Sequence, residues 1–203
     1  MYARHRFLIA GVLIAALGLL GLRTAAAASP EEVVRSIGTT GLTSLTDKGI
    51  TDEERERRFR EILHKNFDMP EIVKFTLGVY WRSATEQQRA EYAKLFEDFV
   101  VKSYSYRFKD YDGEMFRVTQ TVDVSPTDKV VQSEIARQGG PPIRMNWRVR
   151  GPEQFKVVDV VLEGVSMLTT QRDEFTAVIR NNGGKVDGLL TALRDRIGQG
   201  AQQ

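Results

Sequence analysis

The residues Ile143-Arg144-Met145-Asn146-Trp147-Arg148-Val149-Arg150 alternate apolar and polar without a fault. Side chains on a strand point to opposite faces in turn, so this segment offers one face to a core and the other to water. A half-wet strand belongs to an antiparallel sheet, because parallel sheets are covered on both sides. Neighbouring segments fit the same sheet. Phe116, Val118, Val122 and Val124 alternate with polar residues, with Gln120 the exception on that face. Val131, Ser133 and Ile135 form another such run, and Phe155 to Leu162 a fourth. Gly139-Gly140-Pro141-Pro142 and Gly151-Pro152 supply the turns between them.

Upstream the period is helical. Ser29-Pro30-Glu31-Glu32 reads as a helix start, followed by a Gly/Thr/Ser-containing stretch to Gly49. Thr51 to Phe67 is a strong helix, opened by a Thr51/Glu54 capping box and carrying Phe59, Ile62, Leu63 and Phe67 on one face. A short helix from Asp68 to Leu77 is closed by Gly78. A second box, Thr85/Gln88, opens a long helix to about Phe108 with Tyr92, Leu95, Phe96, Phe99 and Val100 as its apolar stripe. Two helices close the chain, Thr170 to Asn181 and Val186 to Ile197, with Gly183-Gly184 between them. Helices, then four strands, then helices predict an α+β fold: a twisted antiparallel four-stranded sheet covered on one face by helices.

The N-terminus reads as an address. Arg4, His5 and Arg6 precede an apolar run from Phe7 to Leu22, and Ala26-Ala27-Ala28 offers a cleavage site before Ser29. The expected division is a signal peptide over 1–28, a single domain over 29–197 and a disordered tail over 198–203. Cleavage removes three of the 29 basic residues and none of the 27 acidic ones, so the mature chain is almost neutral. Nothing then argues for nucleic acid, which needs a concentrated basic face. The absence of cysteine leaves an exported protein to be held by its core alone, which suits a periplasm.

Catalytic groups are scarce. The mature chain keeps one histidine, His64, so a His/Cys metal site is not expected. Gly164-Val165-Ser166-Met167-Leu168 lacks the second glycine of a nucleophile elbow. Gly183-Gly184-Lys185 lacks the upstream glycine of a phosphate loop. One enzymatic reading has substance: Asp159 shares its predicted strand face with Phe155, Val157 and Val161, where a buried carboxylate near tyrosines would suit an isomerase-like proton abstraction. The alternative is that Asp159 ends the strand and fixes the next turn through hydrogen bonds.

Two motifs point elsewhere. Gly78-Val79-Tyr80-Trp81-Arg82-Ser83-Ala84-Thr85 leads into Gln88, and Asp159-Val160-Val161-Leu162-Glu163-Gly164-Val165-Ser166-Met167 is followed by Arg172 and Phe175. In this order, behind an export signal, they resemble the periplasmic phospholipid carriers of the Mla pathway, also called the toluene-tolerance family. The resemblance covers about Glu31 to Leu193. It departs from a generic member at the Gly139-Gly140-Pro141-Pro142 turn and in the short tail after Leu193. It implies an apolar cavity between sheet and helices. It also implies a soluble periplasmic shuttle, with no enzyme activity and no cofactor. Such a shuttle passes phospholipid between an outer-membrane lipoprotein complex and an inner-membrane ABC transporter complex, maintaining outer-membrane lipid asymmetry. A monomer is expected. Some relatives accompany hopanoid synthesis, so a triterpenoid cargo is the alternative.

The candidate inward groups are Phe75, Val79, Phe96, Phe99 and Val100 from the helices, and Phe116, Val118, Val131, Ile135, Met145, Trp147 and Val149 from the strands. Val165, Met167, Phe175 and Ile179 come from the closing segments. Sequence alone does not separate a filled core from a lined cavity; the resemblance favours the cavity. Tyr80 and Trp81, just after a glycine stop, are placed to wedge a helix junction against the sheet. Arg82 and Arg172 are candidates for a phosphate head group or an acidic partner, with a surface ion pair to Glu163 or Asp173 as the alternative. Each buried methylene is worth about 0.8 kcal/mol, so two chains of about 15 carry on the order of 24 kcal/mol. A carrier must therefore hide nearly all of both chains and leave the head group wet.

Overall fold

The computed structural model describes residues 28–200 apart from 112, 138 and 153. The helices are α1 (Pro30–Leu45), α2 (Asp52–Asn66), α3 (Met69–Leu77), α4 (Tyr80–Ser83) and α5 (Glu86–Ser105), followed by a 3-10 turn (Tyr106–Asp110). Then come β1 (Met115–Asp123), β2 (Asp128–Ala136), β3 (Ile143–Arg150), β4 (Lys156–Leu162) and β5 (Val165–Ser166), and finally α6 (Met167–Asn181) and α7 (Val186–Gly200). The expected signal peptide lies outside the described residues except for Ala28. Helix α7 runs into the expected tail as far as Gly200.

The sheet has five strands in the order β1-β2-β3-β4-β5, each pair antiparallel. The fifth, two residues long, was not expected. It follows a turn in which Glu163 and Gly164 both take left-handed backbone, φ 47° and 84°. That is the twist a two-residue hairpin needs.

Two bulges correct the expected faces. In β1 the register shifts between Val118 and Gln120, so Phe116 and Val118 face inward with Ile135 and Ser133, but Thr121 then pairs with Val131. Val122 pairs with Val130 on the outer face, and Val122 and Val124 are exposed. One extra residue reverses every later side chain. In β4 the shift between Arg148 and Val149 puts Val157 opposite Val149 but Asp159 opposite Arg148. Asp159 is thus on the other face from Val157, contrary to the alternation.

Local chemistry explains the helix limits. Ser29 and Glu32 cap α1 reciprocally, and Thr85 and Gln88 cap α5 the same way. The Thr51 box is half made: its hydroxyl accepts from Glu54 N, while the Glu54 carboxylate is taken by Arg57 and Arg58. Helix α1 continues through the Gly/Thr-containing stretch because Val34, Ile37, Gly41 and Leu45 form one buried face. Buried Arg55 donates to Leu45 O and Asp47 O at the end of α1.

The core has two parts. One lies among the helices and includes Leu77, Tyr92, Phe96, Phe175, Ile179 and Leu189. The other joins the inner face of the sheet to α1 and α2 through Val34, Leu45, Ile62, Val131, Trp147, Val149 and Val157. Phe67 packs against both, and next to it Asp68 N donates to Val157 O at 2.9 Å.

Candidate lipid-binding site

On the inner face of the sheet, exposure rises along β3 and β4 from the Val149/Val157 end toward Ile143 and Leu162, while β2 stays buried at Ser133 and Ile135. Along β3, Val149 and Trp147 are buried, whereas Met145 and Ile143 are only half-buried. Along β4, Val157 is buried, Val160 half-buried and Leu162 exposed. The register puts these residues side by side: Val149 with Val157, Trp147 with Val160, Met145 with Leu162. Phe116 and Val118, on the same face of β1, are half-buried as well. Folding normally removes such side chains from water, and here a whole stretch of the inward face retains exposure.

The open end holds a groove of 510 Å³ lined by Arg137, Pro141, Pro142, Ile143, Arg144, Leu162 and Glu163. Val165, paired with Leu162, extends its apolar rim and is 57% exposed. By contrast, the small space among Phe175, Val178, Leu189, Ala192, Leu193 and Arg196 does not admit a water molecule.

The residues expected to line a cavity fall into separate groups. Phe116, Val118 and Met145 lie on the half-open inner face. Val131, Ile135, Trp147 and Val149 are buried beneath α1, α2 and their own neighbours. Phe96, Phe175 and Ile179 are interior to the helical core, where Tyr92, Phe96, Phe99 and Phe175 form an aromatic cluster with ring centroids 5.9–6.2 Å apart. Tyr80, Trp81, Phe99 and Val100 fringe that core half-buried. Met167 is half-buried in the first turn of α6. Val79, 77% exposed, does not point inward as expected. Ile143, Leu162, Arg137 and the two prolines were missed, although the faultless alternation began at Ile143 and the proline turn stood out.

The two distant motifs meet. Gly78 (φ 61°) ends α3, and the aliphatic stem of Arg172 lies against it. The Arg172 guanidinium sits 5.0 Å above the Phe75 ring and donates to Asp173 at 3.0 and 3.1 Å. The ion-pair alternative is therefore the geometry found for Arg172. Arg82 is exposed on α4. Arg89 stacks on Trp81 at 5.3 Å and donates to its carbonyl at 2.8 Å, pinning the motif to the start of α5.

Asp159 is buried and fully engaged: Ser166 Oγ donates to one oxygen at 2.7 Å and Leu168 N to the other at 3.1 Å. Ser166 also caps α6 by accepting from Thr169 N. Asp159 does not end β4 as expected, since the strand runs on to Leu162, but its hydrogen bonds do fix the chain after the following turn, at the start of α6. His64 lies 3.0 Å from Glu97 on the α2–α5 seam. Burial pushes the Tyr92 hydroxyl far above an ordinary phenol, and its partner is Thr76 at 2.8 Å. Among the described residues no group of His, Cys or acids is placed to hold a metal, and no helix is long and apolar enough to cross a membrane.

A solved structure shares this fold, and a curated protein is similar in sequence. The phospholipid-binding protein from Ralstonia solanacearum, solved in complex with a phospholipid, superposes with a TM-score of 0.78 at 22% identity, covering 86% of this chain and 99% of that one. The intermembrane phospholipid transport system binding protein MlaC of Haemophilus influenzae is 23% identical over 128 residues, which are 61% of this chain and 59% of that protein. The chain thus spans under two thirds of that relative. The family model described as MlaC protein matches residues 40–195, and with most of the fold inside that match, this chain belongs to the MlaC family.

Proposed function

We propose that this protein is a periplasmic phospholipid carrier, working between an outer-membrane lipoprotein complex and an inner-membrane ABC transporter complex to keep the outer membrane asymmetric. The observation that carries the reading is the inward face of the sheet, mostly apolar yet only partly covered toward Met145, Ile143 and Leu162. The phospholipid bound to the Ralstonia protein and the name of the Haemophilus relative support it.

Size sets the next requirement. Two chains of about 15 methylenes, at roughly 30 Å³ each, need on the order of 900 Å³. The groove at the open end, at 510 Å³, does not hold that much. The chains must instead part the half-buried side chains of the inner face: Phe116, Val118, Met145 and Val160. Met145 and Met167 are flexible enough to follow chains of different length. A passive carrier only equilibrates cargo between sites of differing affinity, so direction belongs to its partners. The carrier acts as a monomer and performs no chemistry on its cargo.

The test is to purify the protein from periplasm and extract it with organic solvent for mass analysis. About one diacyl phospholipid per chain is the expected result. Protein free of lipid would end the carrier reading, and a triterpenoid in the extract would replace phospholipid as cargo.

A further inference from the structure

We propose that the groove at the open end of the sheet seats the phosphate of the cargo's head group, with Arg137 and Arg144 as its cationic partners; this rests on the carrier reading above. The groove continues the uncovered inner face, since Ile143 and Leu162 belong both to that face and to the groove lining. A lipid whose chains lie along Met145 and Val160 therefore has its polar end here.

The charge balance favours an anion. Two arginines and one glutamate line the groove. That glutamate, Glu163, is committed to the backbone, accepting from Arg144 N at 2.5 Å. Glu134, across the sheet from Arg144, is paired with Arg117. The Arg144 guanidinium makes no hydrogen bond or ion pair to another described residue. Arg137 donates from Nε and Nη2 to Pro141 O, at 3.3 and 3.1 Å, and its Nη1 bonds no other described residue. Guanidinium forks match phosphate oxygens better than any other side chain does.

The wall is also preformed. Proline fixes φ at Pro141 and Pro142, and the Arg137 bonds tie the turn back on itself. Holding Arg137 in place before binding lowers the ordering cost. This gives the Gly139-Gly140-Pro141-Pro142 turn a use that the rest of the fold does not require.

The experiment compares two fluorescent lipids with identical acyl chains, phosphatidylglycerol and diacylglycerol, each doped into phosphatidylcholine vesicles. Extraction by the lipid-stripped protein is measured alongside cosedimentation with the vesicles. Wild type is expected to extract phosphatidylglycerol about tenfold or more in preference to diacylglycerol. R137Q/R144Q is expected to lose that preference, its extraction of phosphatidylglycerol falling about tenfold relative to its extraction of diacylglycerol. A wild type without preference overturns the proposal, whatever the fate of the variant. So does a folded variant that keeps the preference, or one that loses only cosedimentation, which would assign the arginines to membrane docking. If wild type extracts neither lipid, the carrier reading itself fails.

Discussion

Gly38 sits in the middle of α1, where glycine costs about 1 kcal/mol relative to alanine. The reason is Phe116: a Cβ added at Gly38 would fall inside the van der Waals surface of that ring. The ring in turn meets Trp147 edge-on, with centroids 6.2 Å apart. Most of the Phe116 ring borders Gly38, so no small rotation of a flexible tip relieves the clash. Gly38→Ala should therefore destabilise the fold by about 1–3 kcal/mol, against the usual helix gain from alanine. Urea denaturation measures it, and a more stable variant would mean that Phe116 moves away freely. Phe116 was legible as an inward residue from its alternation. Its partner was not, because contact between a helix and a strand far apart in sequence leaves no local signal. Arg172 is similar: its type suggested an anion, while its position over Phe75 and beside Asp173 emerged only from the fold.

At the level of elements, β3 and the long helices were plain in the sequence, since each carries its own period. The bulges in β1 and β4 were not, because a register shift exists only relative to the partner strand. The β4 shift has a structural product: it turns Asp159 toward the start of α6, where it accepts from Ser166 and Leu168. Asp159→Ala leaves two part-buried donors with poorer partners and should cost about 1–3 kcal/mol, read from a denaturation midpoint. A change under 0.5 kcal/mol would show that α6 is held by its other contacts alone. The seam between α2 and α5 adds a pH dependence. Burial alone would raise the Glu97 carboxyl, but hydrogen bonds from His64 and Arg60 outweigh it and hold it below the ordinary 4.5. Arg60 also pairs with Asp98 at 2.8 Å. A depressed carboxyl contributes stability above its unfolded-state value and loses that contribution as pH falls through its folded value. The seam should therefore weaken as pH drops below about 4.5, and Glu97→Gln should flatten that part of a stability-against-pH curve. An unchanged acid limb in the variant would place the acid sensitivity elsewhere.

For the whole molecule, what matters is where the apolar inner face is left uncovered. The sequence predicted which side chains point inward, and Val118, Met145 and Val149 all fit one pattern. It carried no information about how far the helices reach along the strands, so sealed and open positions looked alike. The structure separates them. Val149 is 1% exposed within the sheet core, while Val118, two strands away on the same face, is half-buried. A tryptophan at each position is then a test of the molecule as a container. Val149→Trp forces bulk into a filled interior and should cost about 1–3 kcal/mol or more, with a correspondingly lower melting temperature. Val118→Trp, at a half-buried position with solvent on one side, should cost less, below about 1 kcal/mol. It should nevertheless displace cargo: an indole replaces several methylenes of an acyl chain, each worth about 0.8 kcal/mol, so retained lipid should fall by at least tenfold. Melting curves and lipid-to-protein ratios from the same preparations decide the matter. Equal destabilisation by both substitutions, with lipid content following stability alone, would mean that the inner face is closed along its whole length and that the carrier has nowhere to put its chains.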